Sequence, residues 1–273
     1  HADPPETIGH TSAERFDDMK RVRLLQFTDT HLFGEEAGDL RGLETLPAMH
    51  AVLDAAAADI AAADALIVTG DIVQDDPRGY AHFHAALRSL DKPVLCIPGN
   101  HDDPARMRAE LHGGPFQVGG WHDIAGWRLV MLDSVLPGRA GGRLSGEQLD
   151  ALERALSTAG RRHALVCLHH HPVPMSSRWL DEVGLENADA FFAAIDRHPN
   201  VRGIAWAHVH QAHDSRRGEV RLLSAPSTCA QFRPLSAEFA VDDRPPGYRI
   251  LELGADGAID TEIVWLERFV AHS

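Results

Sequence analysis

The sequence contains few cysteines, and their spacing is typical of neither a disulfide framework nor a thiolate zinc site. The three are Cys96, Cys167 and Cys229, and no Cys-x-x-Cys pair occurs. Cys96 and Cys167 lie within apolar runs, where a thiol packs as a small hydrophobic side chain. We therefore expect no disulfide framework and no cysteine-ligated zinc ion.

Long apolar stretches are also missing. No segment approaches the roughly 20 apolar residues that cross a bilayer, and residues 1–20 contain neither a basic n-region nor a hydrophobic h-region. We expect a cytoplasmic protein with no membrane partner. We expect residues 1–20 to be a flexible N-terminal segment. Because no internal repeat or low-complexity linker divides the chain, we expect residues 21–273 to form one domain.

Positive charge is scarce. The formal net charge is −14, from 26 Lys and Arg against 40 Asp and Glu, and no Lys/Arg stripe offsets it. Such a protein repels phosphate backbones at long range, which excludes nucleic acid as a partner. A small phosphate substrate would need local positive charge, which metal ions could supply. The composition leaves the oligomeric state open.

A short apolar run that stops at a polar cluster recurs five times along the chain. The runs are aliphatic, β-branched and bounded by Gly or Pro, which is typical of buried strands. They cover residues 22–27, 65–68, 94–97, 164–168 and 201–206. The clusters after them are Thr28-Asp29-Thr30-His31, Thr69-Gly70-Asp71, Pro98-Gly99-Asn100-His101-Asp102, His169-His170-His171-Pro172 and Ala207-His208-Val209-His210.

Helical patterns lie between these runs. Ser145 and Gln148 form a capping-box pattern at the start of one helix. Another helix, between the first two strands, is predicted by the apolar steps of Leu46, Met49, Leu53, Ala56 and Ile60. Four further strands, with fewer helices between them, are predicted at 129–132, 220–223, 248–253 and 259–265. We predict an α/β fold of two packed, mostly mixed β-sheets flanked by helices.

The polar clusters predict a metal centre, because ligands of open α/β sheets bind beyond the carboxyl ends of the strands. The side chains that should converge there are Asp29, His31, Asp71, Asn100, His169, His208 and His210. Imidazole with carboxylate suits transition ions, with Fe²⁺ or Mn²⁺ favoured and Zn²⁺ or Co²⁺ as alternatives. Seven ligands suit two divalent ions that share a carboxylate.

Taken singly, each motif has an ordinary structural interpretation. Asp-Thr-His and Gly-Asp occur in many turns, and Asp102 or Asp103 fits a helix cap. The histidine triplet at 169–171 would also fit a solvated surface, and His208 with His210 an exposed edge. Their joint occurrence at strand ends, in this order, favours the metal centre.

The order of the motifs resembles the calcineurin-like metallophosphoesterases, whose fold is a β-sandwich flanked by helices. Residues 21 to about 266 are most similar to the bacterial class III 3′,5′-cyclic AMP phosphodiesterases. Two of the four segments that carry this resemblance contain no metal motif of the whole superfamily. The segments are 26–33, 168–172, 179–181 and 226–232.

The resemblance implies a role for each site residue. One ion would be held by Asp29, His31, Asp71 and His210, and the other by Asp71, Asn100, His169 and His208. The phosphate would contact His31, Asp71, Asn100 and His101. His170 stays open as a substitute for His169. Ala207 stands where the family usually has Gly, which puts the geometry of His208 in doubt if that position needs a positive φ.

The reaction predicted from these roles is hydrolysis of 3′,5′-cyclic AMP to 5′-AMP. A hydroxide bridging both ions at Asp71 would attack phosphorus in line with the 3′ oxygen. His101 would protonate that leaving oxygen, and His31 would stabilise charge on the phosphate. Asp71 and His101 are therefore the predicted catalytic residues, and a small cyclic nucleotide is the predicted partner.

Other functions fit the same metal motifs. These are a glycerophosphodiesterase, a 2′,3′-cyclic nucleotide phosphodiesterase, a phosphomonoesterase and an inactive metal-binding scaffold. The loop at 172–186, with Met175, Trp179 and Leu180, would discriminate between them if it is a lid over a nucleoside. Its alternative is a loop packed on the domain surface.

Overall fold

Two six-stranded mixed sheets with helices on their outer faces make up the part of the chain that the structure describes. The structure is a computed structural model that describes residues 21–267, so the predicted flexible segment at 1–20 lies outside the described residues. The strands of the two large sheets are β1 (Val22–Phe27), β4 (Ala65–Val68), β5 (Val94–Cys96), β6 (Phe116–Val118), β7 (Gly120–Ile124), β8 (Trp127–Met131), β9 (His163–Cys167), β10 (Val201–Trp206), β11 (His213–Arg217), β12 (Val220–Ser224), β15 (Gly247–Leu253) and β16 (Ile259–Trp265). Two small hairpins join β2 (Asp39–Leu40) to β3 (Leu43–Glu44), and β13 (Gln231–Phe232) to β14 (Val241–Asp242).

Both large sheets mix parallel and antiparallel pairs. The first has the order β16-β15-β1-β4-β5-β6, in which β1, β4, β5 and β6 are parallel and β15 and β16 are antiparallel additions. The second has the order β11-β12-β10-β9-β8-β7, with a parallel centre and antiparallel edges. The predicted fold class of two mixed sheets is confirmed.

Side chains of the central strands alternate between two apolar layers. In β1, Leu24 faces the second sheet, whereas Leu25 faces the helices outside the first sheet. In β4, Ile67 and Leu66 divide in the same way. Because successive strand residues point to opposite faces, strands buried on both sides are continuously apolar, which explains why these runs were recognisable.

Seven α-helices lie in the described range, and they cover the outer faces of the sheets. They are α1 (Thr45–Ala55), α2 (Ala57–Ala62), α3 (Tyr80–Leu87), α4 (Pro104–Glu110), α5 (Gly146–Ser157), α6 (Arg178–Asp181) and α7 (Ala188–Ile195). The helix predicted between the first two strands is broken into α1 and α2 at Ala56, which has φ −82° and ψ 0°. Among residues 21–267, no helix combines the length and the apolar character that a bilayer crossing needs.

The predicted cap of α5 is present in one half of its pattern. Ser145 Oγ accepts a hydrogen bond from the backbone N–H of Gln148 at 3.2 Å. The Gln148 side chain does not complete a capping box, since its Oε1 accepts from the backbone N–H of Asp133 at 3.0 Å. Gln148 therefore ties the helix to the chain after β8.

Buried polar side chains join the two sheets to each other. Arg249 of β15 donates to the Ser224 carbonyl on β12 and to the His213 carbonyl on β11. Gln26 of β1 donates to the Trp206 carbonyl on β10 at 3.0 Å. Such bonds depend on the relative position of the sheets, so they fix one sheet against the other more narrowly than apolar contact does.

We expect Arg249→Met to lower the free energy of unfolding by about 2–5 kcal/mol, because it leaves buried carbonyls without their charged donor. The measurement is urea denaturation followed by circular dichroism. Arg216→Met is the matched control, since Arg216 is exposed on β11. A loss at Arg249 no larger than the control's would mean that these bonds do not hold the sheets together.

Candidate metal centre

All seven predicted ligand side chains lie at one edge of the two sheets. Asp29, His31, Asp71 and Asn100 follow strands of the first sheet, and His169, His208 and His210 follow β9 and β10 of the second. The six His and Asp side chains among them are buried. The predicted convergence of the strand ends is therefore observed.

One half of the centre groups Asp29, His31 and His210. The Nε2 atoms of His31 and His210 are 3.0 Å apart, and His210 Nε2 lies 3.4 Å from Asp29 Oδ1. One oxygen or nitrogen of each residue lies within 4.8 Å of the others, which is close enough for one ion to bind all three.

Asp71 stands between this half and the other. Its Oδ2 is 3.8 Å from His31 Nε2 on one side and 3.3 Å from His169 Nε2 on the other. His169 Nε2 is also 3.3 Å from Asn100 Oδ1. The position of Asp71 fits a carboxylate shared by two cations.

Hydrogen bonds at Nδ1 orient three of the histidines. Nδ1 of His31 faces Gln74 Oε1 at 2.7 Å, Nδ1 of His169 faces the Thr69 carbonyl at 2.8 Å, and Nδ1 of His210 faces the Ala230 carbonyl at 2.6 Å. Because an oxygen acceptor requires N–H at Nδ1, the Nε2 lone pair of each neutral ring points to the centre.

His170 is held differently from His169. Its Nδ1 is 2.8 Å from Ser134 Oγ and its Nε2 is 3.2 Å from the Ala140 carbonyl, so neither nitrogen is bonded to a predicted ligand, whereas Nε2 of His169 faces Asp71 and Asn100. The choice that the sequence left open between His169 and His170 is thus favoured for His169. His169, His170 and His208 each have a ring nitrogen within 4.8 Å of the others, and His208 Nε2 is buried without a hydrogen-bond partner among the described residues.

Five of the seven side chains leave the backbone from the left-handed region. Their φ values lie between 47° and 70°, at Asp29, His31, Asp71, His208 and His210. Such conformations cost roughly 1–3 kcal/mol each in residues other than Gly and cluster at functional sites. The positive φ changes the direction of the chain after the strand, so that the side chain points towards the centre.

Two glycines leave room for these side chains. A Cβ on Gly99 would lie 2.2 Å from Asp71 Oδ1, and one on Gly70 would lie 2.5 Å from His169 Nδ1. Ala207, in contrast, is buried and is not among the positive-φ residues. The doubt that Ala207 raised about His208 is therefore removed, because the position needs no glycine conformation.

Asp102 is a residue of the centre that the sequence left as a helix cap. Its carboxylate accepts the backbone N–H groups of Ile72, Val73 and Gly99 and the hydroxyl of Tyr80 at 2.8 Å. Asp103, not Asp102, caps α4. Burial, followed by the negative charge of Asp71, raises the pKa of Asp102 to about 7. Asp102 joins the loop after β4 to the loop after β5.

The segment 226–232 supports the centre through hydrogen bonds to Asp29 and His210. Ser227 Oγ donates to the Asp29 carbonyl at 2.7 Å, and the Ala230 carbonyl holds His210. Gln231 fixes the segment, because its amide exchanges hydrogen bonds with the backbone of Ser227 and Cys229. This support gives a physical reason for a motif that contains no metal ligand.

The donor set fits transition-metal ions. Both carboxylate oxygens of Asp29 are buried and accept no hydrogen bond from the described residues, and His208 Nε2 is in the same situation. Buried anionic oxygens without donors are costly unless a cation compensates them. Nitrogen and oxygen ligands of this kind suit iron, manganese, zinc or cobalt.

The family model of the calcineurin-like phosphoesterases matches residues 22–212. The chain belongs to this family. The match spans β1 to the His-x-His segment and so includes every predicted ligand. The resemblance predicted from the motifs is confirmed.

Curated relatives of this phosphoesterase include cyclic AMP phosphodiesterases. It is 40% identical over 245 residues to the 3′,5′-cyclic adenosine monophosphate phosphodiesterase CpdA of Pseudomonas aeruginosa, covering 89% of each chain. Identity and coverage are the same for CpdA of Escherichia coli strain K12. A dimetal phosphatase from Danio rerio has a similar fold, with a TM-score of 0.63, 12% identity, and coverage of 89% of this chain and 98% of that one.

The loop at 172–186 of this phosphoesterase is mostly packed into the domain. Met175, Leu180 and Leu185 are buried in the apolar layer outside the second sheet. Trp179 is partly buried, packs against the same layer and also contacts Phe232 and Phe239. The lid interpretation therefore fails for Met175 and Leu180, which belong to the core.

His101 lies at the solvent side of the centre, with its side chain 31% exposed. Its backbone N–H donates to Asp71 Oδ1 at 2.9 Å. Its Nδ1 is 3.0 Å from Asp75 Oδ2 and 3.1 Å from Gln74 Nε2. Gln74 and Asp75 carried no recognisable signal in the sequence, because their partners are 26 or more residues away.

The pKa values of the centre follow from burial and from the charges of neighbouring side chains. Burial disfavours the charged form of Asp71 and that of His169. Their mutual attraction and hydrogen bond outweigh burial, so the pKa of the Asp71 carboxyl lies well below its usual value and the pKa of the His169 imidazole is raised to about 9. Burial lowers the pKa of His31 to about 4, against the opposing charge of Asp71. A proton on His169 thus stands where a cation would otherwise neutralise Asp71.

We expect the metal-free protein to lose stability as pH falls from about 6.5 towards 4, partly through His171. Burial lowers the pKa of this side chain to about 4, and the charge of Asp181 offsets that only partly. The unfolded chain then binds a proton that the folded chain excludes, which costs about 1.4 kcal/mol per pH unit for each histidine.

His171→Leu should make this pH dependence shallower by about one proton. The measurement is urea unfolding in a chelator between pH 7 and 4.5, with His112→Leu, at an exposed position, as control. An unchanged slope would show that His171 is protonated in the folded state.

Proposed function

We propose that the protein hydrolyses 3′,5′-cyclic AMP to 5′-AMP at a centre that binds two divalent ions. The observation that carries the proposal is the position of Asp71, between one group of side chains at His31 and another at His169. The similarity to CpdA proteins over 89% of the chain supports the choice of substrate.

The side chains divide into two ligand sets in this proposal. Asp29, His31, Asp71 and His210 would hold one ion, while Asp71, Asn100, His169 and His208 would hold the other. When bound, two such ions supply Lewis acidity, which lowers the pKa of coordinated water and neutralises charge on a phosphoryl group. Iron or manganese is the preferred metal, and zinc or cobalt would fit the same donors.

Side chains of the protein would position the phosphate of the substrate. His31, Asp71, Asn100 and His101 would contact the phosphate, as the family resemblance implies, and ligand atoms of His31, Asp71 and His101 lie within 4.8 Å of one another. A cyclic nucleotide monoanion suits this position, because two divalent ions outweigh the charge of the buried carboxylates. The net charge of −14 of the whole chain disfavours polyanions.

His101 would deliver a proton to the 3′ oxygen as its bond to phosphorus breaks. In the neutral ring, Nδ1 accepts from Gln74 Nε2 and the proton resides on Nε2. In the charged ring, Nδ1–H donates to Asp75 Oδ2 and Nε2 again carries a proton. Only the charged ring can act as the general acid, because loss of its Nε2 proton leaves a neutral imidazole that still donates from Nδ1 to Asp75.

We expect Asp71→Asn to lower the occupancy of both metal sites and to reduce cyclic AMP turnover nearly to zero. An amide has half the acceptor capacity of a carboxylate and no charge, so neither ion would keep its shared ligand. Elemental analysis and product assay are the measurements, with Asp91→Asn, at an exposed position, as control. Full occupancy in Asp71→Asn would remove Asp71 from its shared position.

We expect His101→Ala to slow cyclic AMP hydrolysis by about 10²- to 10⁴-fold while metal content stays near wild type. An alkoxide leaves poorly without a proton, whereas nitrophenolate leaves readily. The same variant should therefore lose far less activity on bis(p-nitrophenyl) phosphate, and the two substrates serve as each other's control. Equal losses on both would assign His101 to binding rather than proton transfer.

A further inference from the structure

Three aromatic side chains form a cluster beside the metal centre. The ring centroids of Trp179, Phe232 and Phe239, here called the aromatic cluster, lie 5.2 to 5.3 Å apart in edge-to-face arrangements. They come from α6 and from the β13–β14 hairpin, which are far apart in sequence. Phe239 is exposed and Trp179 is partly buried, so this side of the cluster borders solvent.

The cluster is continuous with the centre. The Phe232 ring stacks on His210 with centroids 4.0 Å apart and planes 9° apart, and the Phe232 N–H donates to the His210 carbonyl. A ligand whose phosphate lies at His31 and Asp71 would therefore extend towards these rings if it carried a sugar and a base.

The hairpin exposes apolar surface to solvent. Phe239 is 41% exposed, Leu235 75% and Val241 36%, and the fourth exposed large hydrophobic side chain of the described range is Trp121, on β7. Apolar rings grouped at a polar centre are typical of a ligand site. The guanidinium of Arg41 lies over one face of the Phe239 ring, 4.6 Å from its centroid, and adds positive charge on this side.

We propose that the aromatic cluster is the subsite for the base of the nucleotide, with Phe239 and Trp179 as its stacking surfaces. This inference rests on the proposed function for its ligand class. A nucleobase is flat and uncharged, which suits exposed ring faces better than it suits the buried carboxylates of the centre. Stacking is tolerant of base identity, since every base has a π face, so the subsite selects nucleotides over base-free esters rather than one purine over another.

The test compares 5′-AMP with ribose 5-phosphate, which has the same phosphate and sugar but no base. Isothermal titration calorimetry of the manganese-loaded enzyme should show tighter binding of 5′-AMP. Phe239→Ala and Trp179→Leu should weaken 5′-AMP by about 5- to 100-fold while ribose 5-phosphate changes by less than about twofold. Leu235→Ala, on the same hairpin and more exposed, is the matched control and should change neither.

Three outcomes would overturn the subsite: equal affinity of wild type for the two ligands, unchanged 5′-AMP binding in both variants, or equal weakening of both ligands. The last would make the cluster a support of His210. Because Phe239 is exposed, its variant keeps the test valid if Trp179→Leu fails to fold. If wild type turns over no cyclic AMP but prefers 5′-AMP, and Phe239→Ala loses that preference, the subsite stands and the proposed reaction fails.

Discussion

Two carboxylates held out of water set the requirements of the whole centre. Asp29 and Asp71 are buried, and burial by itself favours the protonated form of each. The neighbouring histidines reverse this and keep both carboxyls ionised. Two ionised carboxylates buried side by side need positive charge close by. The imidazole nitrogens around them can bind either a proton or a metal cation. Most other features of the edge serve to keep this arrangement in place.

This arrangement requires backbone conformations of high energy, which hydrogen bonds between the loops stabilise. The left-handed residues after the strands are stable because the loops bond to one another, as when the Asp29 N–H donates to the Gly70 carbonyl and the His31 N–H to the Asp71 carbonyl. Asp102 adds a third connection. The loops after β1, β4 and β5 are therefore one cross-linked unit, which positions reactive groups more narrowly than separate loops would.

The central strands and the ligand set were predictable because each is a local pattern: an apolar run buried on both faces, followed by a polar cluster. The strand β11, of sequence His-Asp-Ser-Arg-Arg, was not, because an edge strand needs no apolar side chains. The break at Ala56 was missed because alanine has the highest intrinsic helix propensity and so gives no signal of a helix end. The partners of His101 and the stacking of Phe232 on His210 arise only when distant loops meet, so no spacing in the sequence could indicate them.

The division of the ligands between the two sheets has a consequence for how the protein matures. His31 and His210 touch although 179 residues separate them, and the ligands from the first sheet precede those from the second along the chain. Contacts of such high sequence separation form late and slowly in folding. During synthesis β1, β4 and β5 emerge before β9 and β10, so Asp29 and Asp71 are made before His169, His208 and His210. Tight metal binding is therefore a late step, which can occur only after the ligands of both sheets have been synthesised and the two sheets have packed together.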